Sequence, residues 1–290
     1  MRHVSPLRYP GGKARLGPLL ADLLRKQHYS VPQVFVEPFA GGAGAGLYLL
    51  RQGVVDRLVL NDAHPGVAAF WRSIVTCPEE FCTLIRETSA SLENWYRARD
   101  VLQNASPSTD DLTLGFATFF LNRTNRSGIL LNAYPIGGLE QAGKYKIGDR
   151  YNPDALVERV RAVAAMSDRI TVTQEDGTDL LTRAGSLGSA ADEVFALVDP
   201  PYVGMGHRLY ELAFTQEDHE RLAAALKSAP YRWVLTYDDV PLVRGLYPPE
   251  WCTTFEKSYS AARAYRGQEI MVFSENTTRD TKTRAGIVAA

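Results

Sequence analysis

Four consecutive residues, Asp199-Pro200-Pro201-Tyr202, combine a carboxylate, two rigid prolines and an aromatic ring. They follow the apolar run Val194 to Val198, which is typical of a strand buried on both faces of a parallel sheet. Because prolines cannot continue such a strand, the chain has to leave the sheet at this point. The pattern therefore places Asp199 and Tyr202 at the carboxyl edge of a strand, where open α/β sheets bind their ligands. An ordinary strand-to-loop exit with a capping aspartate is the alternative interpretation.

A second candidate site follows the apolar run 34–36, where Glu37 precedes the glycine-rich stretch 38–46. The dinucleotide fingerprint G-x-G-x-x-G fails here, because Leu47 occupies the position of the third glycine. An acidic side chain at the strand tip would also repel a pyrophosphate. A ligand without phosphate, but with amine and hydroxyl donors, suits this loop better, and S-adenosylmethionine is such a ligand.

Acidic residues also follow the next two predicted strands of the chain. Asp62 comes after the strand 57–61, and an acid at this position can accept hydrogen bonds from both hydroxyls of a ribose. The alternative is that Asp62 caps the helix that begins with His64-Pro65. After the strand 170–173, Asp176 could receive the adenine amine of a cofactor or could belong to a tight turn.

The elements that must position these residues follow from hydrophobic periodicity and turn signals. Strands are predicted over 34–37, 57–61, 170–173, 194–198, 233–236, 252–258 and 270–273. Helices are predicted over 15–24, up to 52 after the glycine-rich stretch, and over 67–75, 78–87, 92–103, 111–122, 153–166 and, with Thr215 as the N-cap, up to 227. This pattern predicts an α/β fold that ends in an antiparallel strand pair, whose connecting loop carries Arg263, Tyr265 and Arg266.

The alternation of strands and helices stops between Pro65 and Arg150, and we interpret this segment as an insertion between the second and third strands. Towards its end, residues 119–138 interleave amide and guanidinium side chains with aromatic rings and glycines. Such a mixture fits the recognition of phosphates and base edges. A solvated loop is the alternative.

The overall charge gives no attraction for polyanions, since the formal net charge is -1 over 290 residues. A nucleic-acid binder of this composition would need local basic patches. Two such patches are present, one with Arg2, Arg8, Lys13, Arg15, Arg25 and Lys26, and one with Arg123, Arg126, Lys144, Lys146 and Arg150.

Cysteine and histidine usage indicates a reducing compartment and no metal. The three cysteines form no CxxC pair and the five histidines are scattered, so zinc-site spacing is lacking. The N-terminus has no apolar core of a signal peptide. The most apolar stretch, 31–50, is interrupted by Glu37, Pro38 and several glycines, which argues against a membrane span. The sequence therefore predicts a cytoplasmic protein.

Several stretches together resemble the motifs of the Dam-like DNA adenine-N6 methyltransferases, the D12 class, in the order of its α group. Tyr9-Pro10-Gly11-Gly12-Lys13 resembles the amino-terminal cofactor motif, residues 36–42 the main cofactor loop, and Asn61-Asp62 the acidic position after the second strand. Asp199-Pro200-Pro201-Tyr202 resembles the catalytic signature, and Phe120-Leu121-Asn122-Arg123 the start of the target-recognition segment. The resemblance covers nearly the whole chain.

This resemblance implies a Rossmann-like S-adenosylmethionine-dependent methyltransferase sheet with a mainly helical target-recognition insertion and an antiparallel terminal strand pair. It implies a discontinuous catalytic domain, 1–64 and 151–290, around a DNA-binding domain, 65–150. The implied catalytic residues are Asp199, Pro200, Pro201 and Tyr202. The implied cofactor-binding residues are Tyr9, Lys13, Glu37, Pro38, Phe39, Ala40, Gly41, Gly42, Asp62 and Asp176. The implied DNA-binding residues are Arg8, Asn122, Arg123, Asn125, Arg126, Tyr134, Arg263 and Arg266.

The implied reaction is the transfer of a methyl group from S-adenosylmethionine to the N6 amine of an adenine flipped out of double-stranded DNA. Tyr202 would stack on the base, while the Asp199 carboxylate and the Pro200 carbonyl would accept the amine hydrogens. A monomer is predicted, and a cognate restriction endonuclease that acts separately is compatible with this activity.

Departures from the family pattern keep the target sequence open. Thr124, Ser127 and Leu131 stand where enzymes that read GATC carry aromatic and basic residues, and no aromatic follows Asp176. Methyltransferases that act on a glutamine amide or on cytosine N4 are alternatives, although Asp199 and the large insertion disfavour both. A DNA-binding relative that has lost catalysis is a further alternative.

Overall fold

The computed structural model of the chain describes residues 5–9, 12–27, 32–130, 132–204, 214–259 and 265–279. The strands of this part are β1 Val34–Glu37, β2 Arg57–Asn61, β3 Ile170–Thr173, β4 Val194–Val198, β5 Arg232–Asp238, β6 Cys252–Tyr259 and β7 Tyr265–Phe273. Its α-helices are α1 Gly17–Arg25, α2 Gly44–Arg51, α3 Pro65–Thr76, α4 Pro78–Glu87, α5 Leu92–Gln103, α6 Asp111–Thr124, α7 Pro153–Ala164, α8 Gly177–Arg183, α9 Gln216–Lys227 and α10 Pro241–Leu246. A short 3-10 helix, Lys13–Leu16, precedes α1.

The described strands form one mixed sheet in the order β3-β2-β1-β4-β5-β7-β6. Strands β1 to β5 all run parallel to one another, and β7 runs antiparallel to both β5 and β6. The predicted Rossmann-like α/β sheet with an antiparallel terminal strand pair is thereby confirmed.

The order of the strands reverses at β1, which lies between β2 and β4. In open α/β sheets such a reversal opens a crevice outside the carboxyl ends of the strands, and ligands bind there. Glu37 is the last residue of β1, and Asp199 directly follows β4. The two acids singled out in the sequence therefore lie at the same crevice.

Both faces of the sheet are covered, which explains why residues 34–36 of β1 and all of β4 are apolar. Phe35 and Phe195 belong to the buried cluster on one face, where their rings stack 6.0 Å apart. Val36 and Ala196 belong to the buried cluster on the other face. Because every side chain of the two strands packs against a covering layer, the strand ends are held rigidly.

Helices α3 to α6 occupy the chain between β2 and α7, where the insertion was predicted. Trp71 of α3, Phe81 of α4 and Phe119 of α6 belong to the same buried cluster as Phe35 of the sheet. The helical segment thus shares its core with one face of the sheet. The division into a catalytic domain, 1–64 and 151–290, and a recognition domain, 65–150, stays a prediction.

Two short helices were not predicted. Helix α8 spans 7 residues and α10 spans 6, which is too short for a helical period of apolar residues to be recognisable. Asp176 caps α8, because its side chain accepts hydrogen bonds from the N–H groups of Thr178 and Asp179. A proline at the start of α10 fits the first turn of a helix.

Strand β7, the second strand of the terminal pair, begins earlier than the sequence indicates. Tyr265 and Arg266 are part of β7, paired with Tyr259 and Ser258 of β6, so their placement in the connecting loop is wrong. The cross-strand ladder continues past the apolar residues 270–273 from which the strand was predicted, because backbone pairing does not require apolar side chains. Arg263 lies outside the described residues.

No helix in the described part of the chain is long and apolar enough to span a membrane. Among the same residues, no group of three or more His, Cys, Asp and Glu side chains is arranged to hold a metal ion.

Candidate active site

Glu37 lies at the bottom of the crevice, at the end of β1, and only 5% of it is exposed. Its Oε1 accepts a hydrogen bond of 2.5 Å from the N–H of Gly46, in the first turn of α2. Burial raises the pKa of Glu37 to about 8, and the Asp199 charge adds to this, against the opposing effects of the Gly46 N–H and of Lys13. A side chain at position 46 would come within 2.7 Å of the Glu37 carboxylate, so glycine is required there.

The glycine-rich loop between β1 and α2 is fixed from three directions. The Asp62 Oδ2 accepts a hydrogen bond of 2.9 Å from the N–H of Gly41, and the Trp71 ring N–H donates to the Gly41 carbonyl at 3.0 Å. The Tyr9 ring lies on the loop, because a Cβ at Gly41 would be 2.7 Å from it. With a φ of +44°, Gly41 also has a backbone conformation that favours glycine.

Asp62 organises the turn after β2 and is not the cap of α3. Its Oδ1 accepts a hydrogen bond of 3.0 Å from the N–H of His64, and the His64 Nδ1 accepts from the N–H groups of Gly66 and Val67. Burial raises the pKa of Asp62. A carboxylate can accept about four hydrogen bonds, so the two it accepts here leave capacity for a ligand.

Asn61, at the end of β2, joins the ends of three strands. Its amide group donates to the carbonyls of Pro38 and Glu175 at 2.9 and 3.0 Å, and its oxygen accepts from the hydroxyl of Thr173 at 2.8 Å and from the N–H of Glu175 at 3.0 Å. The side chain is fully buried. It therefore sets the distance between the glycine-rich loop and the turn before α8.

Asp176, predicted to meet a cofactor adenine, is engaged within the protein. Besides capping α8, its Oδ1 lies 2.8 Å from the Arg221 guanidinium. Phe39 packs nearby, since a Cβ at Gly177 would be 2.6 Å from its ring, and the ring meets that of Phe214 edge-on at 5.6 Å. A role of Asp176 in binding a cofactor therefore stays a prediction.

The Asp199 carboxylate is held from two sides through the same oxygen. Its Oδ1 lies 2.9 Å from the Lys13 Nζ and accepts a hydrogen bond of 2.7 Å from the Thr236 hydroxyl of β5. Lys13 also donates to the Tyr202 hydroxyl at 2.9 Å, and its Nζ lies 5.1 Å from the centre of that ring. Lys13, predicted to bind the cofactor, is thus buried against the segment Asp199-Pro200-Pro201-Tyr202.

The segment after Tyr202 is anchored to the end of β5. The Asp238 carboxylate accepts hydrogen bonds from the N–H groups of Val203 and Gly204, at 3.1 and 2.7 Å. Beneath it, the buried His219 Nδ1 lies 2.6 Å from the Tyr237 hydroxyl, and burial lowers the pKa of His219 and raises that of Tyr237.

Thr236 and Asp238 were not among the predicted site residues. Both are polar residues at the carboxyl end of an apolar strand, which is the feature by which Asp199 was recognised in the sequence. Only the sheet order, which makes β5 the neighbour of β4, shows that these residues lie at the same site.

Asn122, Arg123 and Asn125, predicted to contact DNA, have their side chains inside the protein. Asn122 is 1% exposed; its side chain accepts from the Arg8 N–H at 2.7 Å and donates to the carbonyls of Arg8 and Gly128 at 2.7 and 2.9 Å. Asn125 accepts from the Trp95 ring N–H at 2.6 Å and donates to the Ile129 carbonyl at 2.7 Å.

The Arg123 guanidinium lies among backbone carbonyls, with hydrogen bonds to those of Arg150 and Pro6. Its pKa is lowered, mainly because the charge is buried and also because Arg8 lies nearby. These bonds connect the N-terminal segment to the end of α6. The amide and guanidinium groups of this stretch therefore hold the fold together here, a use that residue type alone does not distinguish from DNA contact.

Arg126 and Tyr134 are the DNA-binding candidates of this segment with exposed side chains. Arg126 is exposed and Tyr134 is 61% exposed. The Arg126 N–H donates to the Tyr134 carbonyl at 3.1 Å, so the two residues lie side by side. Arg8 is partly buried, and its guanidinium donates to the Asn125 carbonyl at 3.2 Å. The side chain of Arg266 and all of Arg263 lie outside what the structure describes.

The family described as D12 class N6 adenine-specific DNA methyltransferase matches residues 9–265. The match includes Tyr9, the glycine-rich loop, Asp62, the helical segment and the Asp199 signature. The chain belongs to this family. Arg8 and Arg266 flank the matched part of this D12-class chain.

Comparison with solved structures finds the rRNA methyltransferase aviRa from Streptomyces viridochromogenes, at 1.5 and 2.4 Å. The two aviRa structures are 17% and 16% identical to this methyltransferase, with TM-scores of 0.43 and 0.41, and each comparison covers 93% of this chain and 88% of aviRa. A likeness this distant carries no argument about the substrate. No curated protein matches the chain.

Proposed function

We propose that this D12-class methyltransferase is site-specific and transfers the methyl group of S-adenosylmethionine to the N6 amine of an adenine flipped out of double-stranded DNA. The observation that carries the proposal is the position of Asp199, at the carboxyl end of β4, across the crevice from Glu37 and the glycine-rich loop. A methyl donor and an acceptor amine would meet between the two groups.

The residues on the β1 side of the crevice fit S-adenosylmethionine. Gly41 and Gly46 have no room for a side chain, so backbone is what this loop offers a ligand, and Asp62 retains acceptor capacity for ribose hydroxyls. Tyr9, Lys13, Glu37, Pro38, Phe39, Ala40, Gly42 and Asp176 complete the proposed cofactor-binding set. The cofactor would supply a methyl group on a positively charged sulfur.

The residues on the β4 side of the crevice would make the adenine amine a better nucleophile. The lone pair of an exocyclic adenine amine is delocalised into the ring, which makes the nitrogen a poor nucleophile. Acceptance of its two hydrogens by the Asp199 carboxylate and the Pro200 carbonyl would draw the nitrogen towards sp3 geometry and localise the lone pair. Pro201 and Tyr202 would hold and stack the base. Orientation and electrostatics would carry most of the rate enhancement.

The nitrogen-carbon bond would form as the sulfur-carbon bond breaks, and the positive charge would pass from sulfur to the amine. The methylated amine would then lose a proton by way of the Asp199 carboxylate to water. Base flipping would cost a few kcal/mol, which contacts with the duplex would offset.

Arg126 and Tyr134 would make such contacts. An exposed guanidinium and an exposed aromatic ring, on two residues joined by a backbone hydrogen bond, suit a phosphate and an unstacked base. Asn122, Arg123 and Asn125 would act on DNA binding only by holding this segment in place. The proposal includes action as a monomer in the cytoplasm, and the three cysteines, unpaired in the structure, fit a reducing compartment.

The test is transfer of tritiated methyl groups from S-adenosylmethionine to unmethylated genomic DNA, followed by identification of the methylated base. We expect N6-methyladenine with the wild-type protein and none with Asp199→Ala, whose affinity for S-adenosylhomocysteine should be retained. Label on cytosine or on protein glutamine, or near-normal turnover by Asp199→Ala, would contradict the proposal. Sequencing of the modified bases would give the target site.

A further inference from the structure

We propose that Thr236 is a positioning residue for methyl transfer, whose hydroxyl fixes the Asp199 carboxylate so that Oδ2 stays available for the target amine. The inference rests on the proposed function, because it assumes that Asp199 receives an amine. No sequence motif described above includes Thr236.

Thr236 is well placed for such a role because it lies in the centre of the sheet. Leu235 of β5 is in register with Val198, the last residue of β4, so the next residues along the two strands are Thr236 and Asp199. Thr236 is fully buried, and its hydroxyl donates to the Asp199 Oδ1 at 2.7 Å. On its other side, it pairs with Met271 of β7.

The two donors to Asp199 share one oxygen. The Lys13 Nζ lies 2.9 Å from Oδ1, the atom that also accepts from Thr236. No donor to Oδ2 is found among the described residues, and 25% of the Asp199 side chain is exposed. Since an ionised carboxylate only accepts hydrogen bonds, Oδ2 is the atom left for the hydrogen of an incoming amine.

Thr236 and Lys13 contribute differently to this arrangement. Lys13 reaches the carboxylate through a long side chain and also contacts Tyr202, so its position is tied to that of the aromatic ring. Thr236 belongs to a strand, and a β-branched side chain has few rotamers. The hydroxyl is therefore the fixed reference that determines the rotation of the carboxylate.

Two substitutions of Thr236 distinguish the contribution of the hydroxyl from that of the side-chain shape. Thr236→Val keeps the shape and removes the donor, whereas Thr236→Ser keeps the donor. A hydrogen bond to a charged group is expected to change kcat by about tenfold to a hundredfold. We expect this loss for Thr236→Val, with KM for S-adenosylmethionine unchanged, and a kcat close to that of the wild type for Thr236→Ser.

The experiment measures tritiated-methyl transfer to unmethylated genomic DNA under steady-state and single-turnover conditions. Thr118→Val is the matched control, since it removes an equally buried hydroxyl that bonds to the Leu114 carbonyl in α6; its kcat should not change. Thr236→Ala is the second variant without a hydroxyl, to be used if Thr236→Val does not fold.

A kcat of the hydroxyl-free variant close to that of the wild type would overturn the inference. A loss of kcat in Thr236→Ser as large as that in Thr236→Val would also overturn it, because retention of the hydroxyl would then not preserve turnover. The same holds for a raised KM for S-adenosylmethionine with kcat unchanged. An inactive wild-type protein would overturn the proposed function and this inference with it, whereas an active wild type beside an equally active Thr236→Val would overturn the inference alone.

Discussion

Glu37 should make the stability of the protein depend on pH in a direction opposite to that of a paired surface carboxylate. Burial raises its pKa from the ordinary value of 4.5 to about 8, so the folded state keeps the proton over a range in which the unfolded chain loses it. Unfolding then releases a proton, and the free energy of unfolding falls as the pH rises from about 4.5 to about 8.

The size of the effect follows from the two pKa values. Each unit of pKa difference corresponds to about 1.4 kcal/mol, so the whole range amounts to about 5 kcal/mol. Between about pH 5.5 and about pH 7.5, where most proteins can be measured, the loss from Glu37 alone is about 2 to 3 kcal/mol. Glu37→Gln stays neutral and can still accept the Gly46 hydrogen bond, so it should not show this loss.

The assay is equilibrium unfolding in urea at several pH values, without cofactor, for the wild type and for Glu37→Gln. All other titrating groups are common to both proteins, so the difference between the two curves reports Glu37. Glu87→Gln, at an exposed position in α4, is the control. Its curve of unfolding free energy against pH should stay parallel to that of the wild type. If the curve of Glu37→Gln also stays parallel to that of the wild type between about pH 5.5 and about pH 7.5, the reasoning about burial is refuted.

The raised pKa of Glu37 should also affect the affinity for the cofactor. At about pH 7, Glu37 would have to lose its proton to pair with the ammonium group of S-adenosylmethionine, which costs about 1.4 kcal/mol, a factor of about ten in affinity. Calorimetry in buffers of different ionisation enthalpy would detect the released proton if such a pair forms.

Two further predictions separate DNA contact from structural support in the recognition segment. Arg126→Gln should leave the free energy of unfolding within about 0.5 kcal/mol, because the side chain is exposed. It should weaken DNA binding at every sequence and reduce the slope of log K against log salt by about one, as measured by fluorescence anisotropy; an unchanged slope would exclude a phosphate contact. Asn122→Ala should instead lower the free energy of unfolding by about 2 to 4 kcal/mol, because buried partners in Arg8 and Gly128 lose their hydrogen bonds. Its affinity for DNA should match that of the wild type where both proteins are folded, and a stable variant with weakened DNA binding would restore Asn122 as a DNA contact.

The sequence by itself determined the strands and helices that carry the site. Strands β1 and β4 were recognisable because a strand covered on both faces is apolar throughout, and Glu37 and Asp199 could be placed at one edge because parallel strands end on the same side. The order of the glycine-rich loop, the helical segment and the Asp199 signature was sufficient to indicate the family. Short helices such as α8 were not predicted, because so few residues show no recognisable helical periodicity of apolar side chains.

Only the tertiary structure decided what the polar side chains do. Asn122 and Arg126 are four residues apart and equally suited to DNA by type, yet one is buried against the Arg8 backbone and the other is exposed. Likewise, the donors to Asp199 come from the first 3-10 helix and from β5, which are far apart in the chain. Hydrophobic periodicity records which apolar side chains are buried, because burial stabilises them wherever they lie. A polar side chain depends on a partner at hydrogen-bond distance, and that partner is fixed by how distant segments of the chain pack together.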